Sequence, residues 1–129
     1  MQKVYDAHAI CLYGRADERE ELRRICRGFR RGTVVNPARY DGHSDKQADT
    51  VGFCLKLVDK CDVVVFSRLL GRITAGVGKE VNHDLKKGKS VFELTADKIQ
   101  PCTRRVKYVS RAATRKLYRE YRYSLWKTI

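Results

Sequence analysis

Three features of the sequence predict an α/β fold: a three-layer sandwich around a mostly parallel five-stranded sheet, Rossmann-like or flavodoxin-like. Residues 61–94 open with the unbroken apolar run Val63–Phe66, the mark of a strand buried on both faces. A loop, the pair Gly76 and Gly78, and the helical stripe Val77, Val81 and Leu85 follow, before Gly88 and a strand over Ser90–Leu94. Strand, helix and strand in that order form a βαβ unit, which makes its two strands parallel neighbours. Shorter strand and helix patterns alternate on either side of it.

Taken in order, residues 7–13 are expected to be the first strand, ended by Gly14. Asp17 and Glu18 then start a helix with Leu22, Ile25 and Phe29 at helical spacing, and Gly32 stops it. Thr33–Val35 is a short second strand, broken by Asn36-Pro37. A polar loop over 36–44 leads to Ser44 or Asp45, either of which can cap a helix with Ala48, Val51, Leu55 and Val58 buried. Gly52 weakens that helix unless something packs closely against it. Beyond the central unit, residues 95–103 are a connection and 106–109 a fifth strand. Ser110 caps a last helix running to about Ile129, with Ala113, Leu117, Tyr121 and Leu125 on one face.

A length of 129 residues suits one domain, 1–129, ending in a basic helix at about 110–129. A hydrophobic fraction of 43% and only two prolines favour a folded globule. No run of 18 apolar residues is present, so no membrane association is expected. The first residues read as a strand rather than a signal peptide. The five cysteines (Cys11, Cys26, Cys54, Cys61, Cys102) form no Cys-x-x-Cys pair and sit in or beside apolar segments. Reduced, buried thiols and a cytoplasmic location follow. His8, His43 and His83 show no ligand spacing, so no metal and no cofactor is expected.

The formal net charge of +13 suits an anionic ligand. From Thr103 onward nine basic residues face one acid, Glu120. Arg115, Arg119 and Arg122, with Tyr118, Tyr121, Tyr123 and Trp126 among them, could bind nucleic acid. The favoured reading is that the apolar face of this helix docks on the sheet or on a second copy, in a homodimer or higher homo-oligomer.

Gly78-Lys79 does not open a phosphate loop, which needs glycine at position 73 and a hydroxyl at 80, and the dinucleotide glycine pattern fails at Val81. What remains is two helix starts, at Gly14 with Arg15 and Arg19 beside it and at Gly76–Gly78. Their free backbone N–H groups, expected at positions 77–80 in the second, can hold an anion. Asp62, at the head of its strand, and Glu80, in the first helical turn, are read as acids at the ligand crevice. Each also has an ordinary structural reading, as a turn-former and as a complement to the helix dipole.

Asp-Val-Val-Val, a loop, Gly-Val-Gly-Lys-Glu-Val, a helix and Gly-Lys-Ser-Val resemble the nucleoside 2-deoxyribosyltransferase family, most closely its deoxynucleoside 5′-monophosphate N-hydrolase branch. The resemblance runs from Ile10 to about Leu94 and includes Leu12-Tyr13-Gly14 and Asn36-Pro37. It implies that Glu80 is the catalytic glutamate, that Asp62 is an active-site aspartate, and that Thr74 stands where relatives carry serine or aspartate. It also implies a nucleotide or nucleoside substrate, with the helix starts at Gly14 and Gly76 holding a 5′-phosphate. The family's usual tyrosine, three residues before the first glycine, is Cys11 here, and Tyr13 is the candidate to replace it. Val81-Asn82 stands in place of the usual Leu-Gly. The alternative is a nucleotide-binding or sensing module without catalysis.

Overall fold

The computed structural model describes residues 2–127, the side chain of Lys127 excepted. Five strands, β1 (Lys3–Ala7), β2 (Thr33–Val35), β3 (Val63–Phe66), β4 (Ser90–Leu94) and β5 (Ile99–Pro101), form one sheet in the order β2-β1-β3-β4-β5. The first four are parallel and β5 runs antiparallel to β4. The helices are α1 (Ala16–Gly28), α2 (Ser44–Ala48), α3 (Thr50–Asp59), α4 (Ala75–Lys86) and α5 (Arg111–Lys127). This is the predicted α/β sandwich, with helices on both faces of a mostly parallel sheet.

Side-chain alternation divides the core. Val4, Val63, Val65 and Leu94 point to one face, where Ile25 of α1 packs on them. Tyr5, Ala7, Val64, Phe66 and Val91 point to the other, covered by Leu57 and Val58 of α3 and Val77 and Val81 of α4. α5 joins neither layer. Its Tyr121 packs with Ala9, Cys11, Leu12 and Leu69, which follow β1 and β3, so the helix sits over the carboxyl ends of the strands. Two bonds fix it there. Thr114 Oγ1 accepts from the Ala75 N–H at 2.9 Å, and the Tyr121 hydroxyl donates to Asp17 Oδ2 at 2.5 Å.

The first strand lies earlier than expected. Residues 3–7 form β1, and Ile10–Leu12 is a 3₁₀ turn in which the Leu12 N–H bonds Ala9 and the Tyr13 N–H bonds Ile10. Cys11 and Leu12 are buried while Ile10 is exposed, a turn's pattern rather than strict alternation. The helix expected after Ser44 is two, broken at Asp49. The Asp49 carboxylate caps α3 through the Gly52 N–H at 3.0 Å. A Cβ at position 52 would lie 2.2 Å from Asp49 Oδ2, so the cap itself is the close packing that Gly52 serves. Cys54, Leu57 and Val58 make the buried stripe, and Ala48 and Val51 are exposed.

The fifth strand is β5, within the segment expected to be a connection. Residues 106–109 join no ladder. Val106 and Tyr108 pack towards α4, where Asn82 clamps Val106 through both its N–H and its carbonyl, at 2.8 and 2.9 Å. The Val109 N–H bonds Ile73. Cys11, Cys54 and Cys61 are buried, Cys102 is half-buried and Cys26 is exposed on α1. The expected helix end at 128–129 lies outside the described residues. Among the described residues no helix is long and apolar enough to cross a membrane.

Candidate active site

A cavity of about 580 Å³ opens at the carboxyl ends of the strands, between the starts of α3 and α4 and under α5. Glu80 is one of its lining residues. It stands on the second turn of α4, two places after Gly78, and is almost fully buried because the stripe around Val77 and Val81 packs on the sheet. Tyr5 comes from β1, on the face that α4 covers, and its hydroxyl donates to Glu80 Oε2. Burial pushes Glu80 up to about 7, against the pull of the Tyr5 bond and the nearby His8. Burial and the neighbouring carboxylate push Tyr5 well above its usual range. At neutral pH the phenol therefore keeps its proton and donates, while Glu80 is poised between its two forms.

Basic groups surround this carboxylate. Arg111 and Arg115 of α5 and Lys79 of α4 line the cavity. Lys46 is buried alongside, bonding the Pro37 carbonyl at 2.9 Å and the Tyr13 hydroxyl at 3.4 Å. At the start of α4, Thr114 takes the Ala75 N–H. The Gly76 and Val77 amides, which precede the first intrahelical donor, the Gly78 N–H, belong to residues of the cavity wall. The only other carboxylate among the lining residues is Asp49, the cap of α3.

Of the residues assigned from the sequence to catalysis or to substrate and phosphate binding, Glu80, Thr74, Gly76 and Tyr13 come together around the cavity. The others do not. Asp62 is exposed at the amino end of β3, accepts the Lys3 N–H at 2.8 Å, and stands at the opposite end of the sheet from the crevice. Gly14 has φ +74° and donates its N–H to Glu18 Oε1 at 3.1 Å, so it offers no free amide. Arg15 and Arg19 turn back onto the carbonyls of Cys11 and Gly14, at 3.1 and 3.0 Å. Gly78 faces Tyr108, not the cavity, and a Cβ there would lie 2.3 Å from the Tyr108 ring. The free amides of α4 accordingly lie at Gly76 and Val77 and overlap the expected 77–80 only at Val77, since the Gly78 N–H already bonds Thr74 within the helix.

The sequence reading did not place Tyr5, Cys54, Arg111 or Arg115 in this crevice. With β1 framed at 7–13, Tyr5 lay outside any element. The alternation of Val4 and Asp6 against Tyr5 and Ala7 is the signal that would have found it. The arginines of α5 were read as a separate stripe, whereas two of them face the same cavity as Glu80. Tyr13 touches His8 and Lys46 rather than Glu80. Its ring lies 5.2 Å from the His8 ring, edge-on, and 4.7 Å from Lys46 Nζ.

Compared with models of known protein families, with curated proteins and with solved structures, the chain matches none. The likeness to nucleoside deoxyribosyltransferases therefore rests on the residues quoted from the sequence.

Proposed function

We propose that the protein cleaves or transfers at the N-glycosidic bond of a nucleotide or nucleoside, with Glu80 as the carboxylate that meets the anomeric carbon. The observation that carries this reading is one buried glutamate, held by a neutral tyrosine, inside a cavity rimmed by cations. Such bonds break through an oxocarbenium-like state. A carboxylate against the anomeric carbon stabilises that charge or forms a glycosyl-enzyme, which water or a second base resolves. Tyr5 occupies Oε2 of Glu80 and leaves Oε1 for the sugar. Arg111, Arg115 and the amides of Gly76 and Val77 supply a place for a 5′-phosphate. Asp49, in the same cavity, is the acid available to assist departure of the base.

Incubation with each deoxynucleoside and deoxynucleoside 5′-monophosphate, followed by chromatography for free base, tests the reading. Glu80→Gln should lower the rate on the order of a thousandfold or more. An unchanged rate would remove Glu80 from the chemistry. Asp49→Asn keeps a good helix cap, so a loss of activity without a loss of stability marks the carboxylate itself.

The position of Asp62 favours a second reading, a nucleotide-binding module without catalysis, because the second acid of the resemblance is not in the crevice. Thermal stabilisation by nucleotides, with no base released even at high protein concentration, selects that reading.

A further inference from the structure

A second cluster of ionisable groups meets at the carboxyl end of β1, on the face that α1 covers. Asp6 alternates with Tyr5 and so points away from the Glu80 layer. Asp6 and His8 are buried and Glu21 of α1 is half-buried, and one ligand atom from each lies within 4.8 Å of the others. The ring of His8 is held from behind. Its Nε2 lies 2.6 Å from Glu18 Oε2, whose other oxygen accepts the Gly14 N–H. A carboxylate only accepts, so Nε2 carries a proton, and Nδ1 is turned to Asp6, 3.1 Å from its carbonyl oxygen and 3.3 Å from Oδ2, where a metal ion would displace a proton.

Three buried polar atoms converge here without a hydrogen-bond partner among the described residues: Asp6 Oδ2, Glu21 Oε2 and Ser67 Oγ. Asp6 is 1% exposed and Ser67 9%, and the Ser67 hydroxyl, which follows β3, stands beside Glu21. Asp6 Oδ2 has only the His8 ring, 3.3 Å away, as a counter-charge, and buried oxygens left without partners are costly unless something cationic satisfies them. Asp6, Glu18 and Glu21 together outnumber the single imidazole even when it is protonated.

We propose that Asp6, His8 and Glu21, with the Ser67 hydroxyl beside them, form a binding site for one divalent first-row metal ion. An imidazole nitrogen with two carboxylates suits Zn²⁺ or Mn²⁺ rather than Ca²⁺, which takes oxygen alone. Bonds of about 2.0–2.1 Å place tetrahedral ligands about 3.4 Å apart, and the His8 Nδ1–Asp6 Oδ2 separation already has that length. Glu21, the least buried ligand, is the one that must close in. Glu18 then serves as the outer carboxylate that fixes the tautomer of a ligating histidine. The expectation of no metal came from sequence spacing, and this site assembles only when α1 packs on β1. It does not depend on the reading of Glu80, although His8 also lines the Glu80 cavity.

The test is titration of the chelator-treated full chain with Zn²⁺ and Mn²⁺ salts, followed by calorimetry and thermal unfolding. One equivalent should bind, raise Tm by several degrees and release protons to a weak buffer. Glu21→Gln should abolish the metal-induced shift while raising the Tm of the metal-free protein, because it removes a repelling charge. Glu18→Gln should weaken binding about tenfold. Asp6→Asn should likewise abolish the metal-induced shift. If that buried variant does not fold, Glu21→Gln decides the matter alone. No stabilisation by either metal, or a full shift surviving in Glu21→Gln, overturns the proposal and leaves His8 as the cluster's only cation.

Discussion

The Tyr5 hydroxyl and the Glu80 carboxylate meet across 75 positions of sequence, one on the strand that starts the sheet and one on the helix that covers it. The bond fixes which oxygen of the glutamate is engaged and which is free. Tyr5→Phe keeps the ring in the core and deletes only the donor. We expect a loss in kcat on the order of a hundredfold, as for removal of one catalytic hydrogen bond. The rise of kcat/KM with pH, set by ionisation of Glu80 at about 7, should move to higher pH because a bond to the charged form is gone. A pH–rate profile checks this, and an unmoved limb would show that the bond does not tune the carboxylate.

Arg111 and Arg115 bring the charge of the last helix into the Glu80 cavity. Changing both to glutamine should raise KM for deoxynucleoside 5′-monophosphates about tenfold to a hundredfold, the worth of one or two charge-assisted bonds. KM for the unphosphorylated nucleosides should barely change. Equal effects on both substrate sets would place the phosphate elsewhere. Arg119 and Arg122 are exposed and are not lining residues, so substitution there should leave both constants alone.

Gly78 is required by Tyr108, whose Cβ and ring lie where a side chain on α4 would go. Those atoms are at the fixed end of the tyrosine side chain, so Gly78→Ala should destabilise by about 1–3 kcal/mol, as overpacking does. In a Tyr108→Ala background the same change should become neutral, or stabilising by about 0.5–1 kcal/mol through helix propensity. Denaturant unfolding of the four proteins reads the cycle, and additive effects would refute the steric account.

In the metal-free protein, stability should fall as pH rises from about 5 to about 9. Burial raises Glu80 and Glu21 to about 7, the second with help from Asp6, and raises Asp84 to about 6. Burial lowers His8, but Asp6, Glu18 and Glu21 outweigh it and hold the ring at about 9. All four groups bind protons more tightly folded than unfolded, so deprotonation costs the native state more. Asp59, drawn down to about 2 by Lys87 and His83, acts in the opposite sense and only in strong acid. A decline of several degrees in Tm over that range is expected. Glu80→Gln should match the parent at pH 5 and exceed it at pH 8, a comparison that calorimetry makes directly.

The βαβ unit was legible because its signals are local: an apolar run, a helical stripe and Gly88 at φ +76° just past the end of α4. Thr33–Val35 and Ser90–Leu94 fall where the sequence puts them for the same reason. Glu80 was legible through its place after two glycines. Asp62 was misplaced because β3 has two ends, and the head of a parallel strand is the end away from the crevice. Tyr5 was hidden by a frame error at a polar-interrupted strand, where Asp6 and His8 broke the apolar run. The parts α5 contributes were hidden for another reason. A helix lying over strand ends, rather than on a face, announces only its own amphipathic stripe and not which cavity its charged side overlooks.

The two outermost strands are each three residues long, and β5 ends in Pro101. The Cys102 N–H points inward to the Val91 carbonyl, so alternation turns the nitrogen of position 101 outward, where proline has no hydrogen to offer. On the far side, β2 is followed at once by Asn36-Pro37 and a 3₁₀ turn. Neither rim presents a long row of unpaired donors on which a foreign strand could build. A protein with four parallel strands, a topology slow to form and exposed to misassembly meanwhile, is thus blunted at both rims against growth into a fibril.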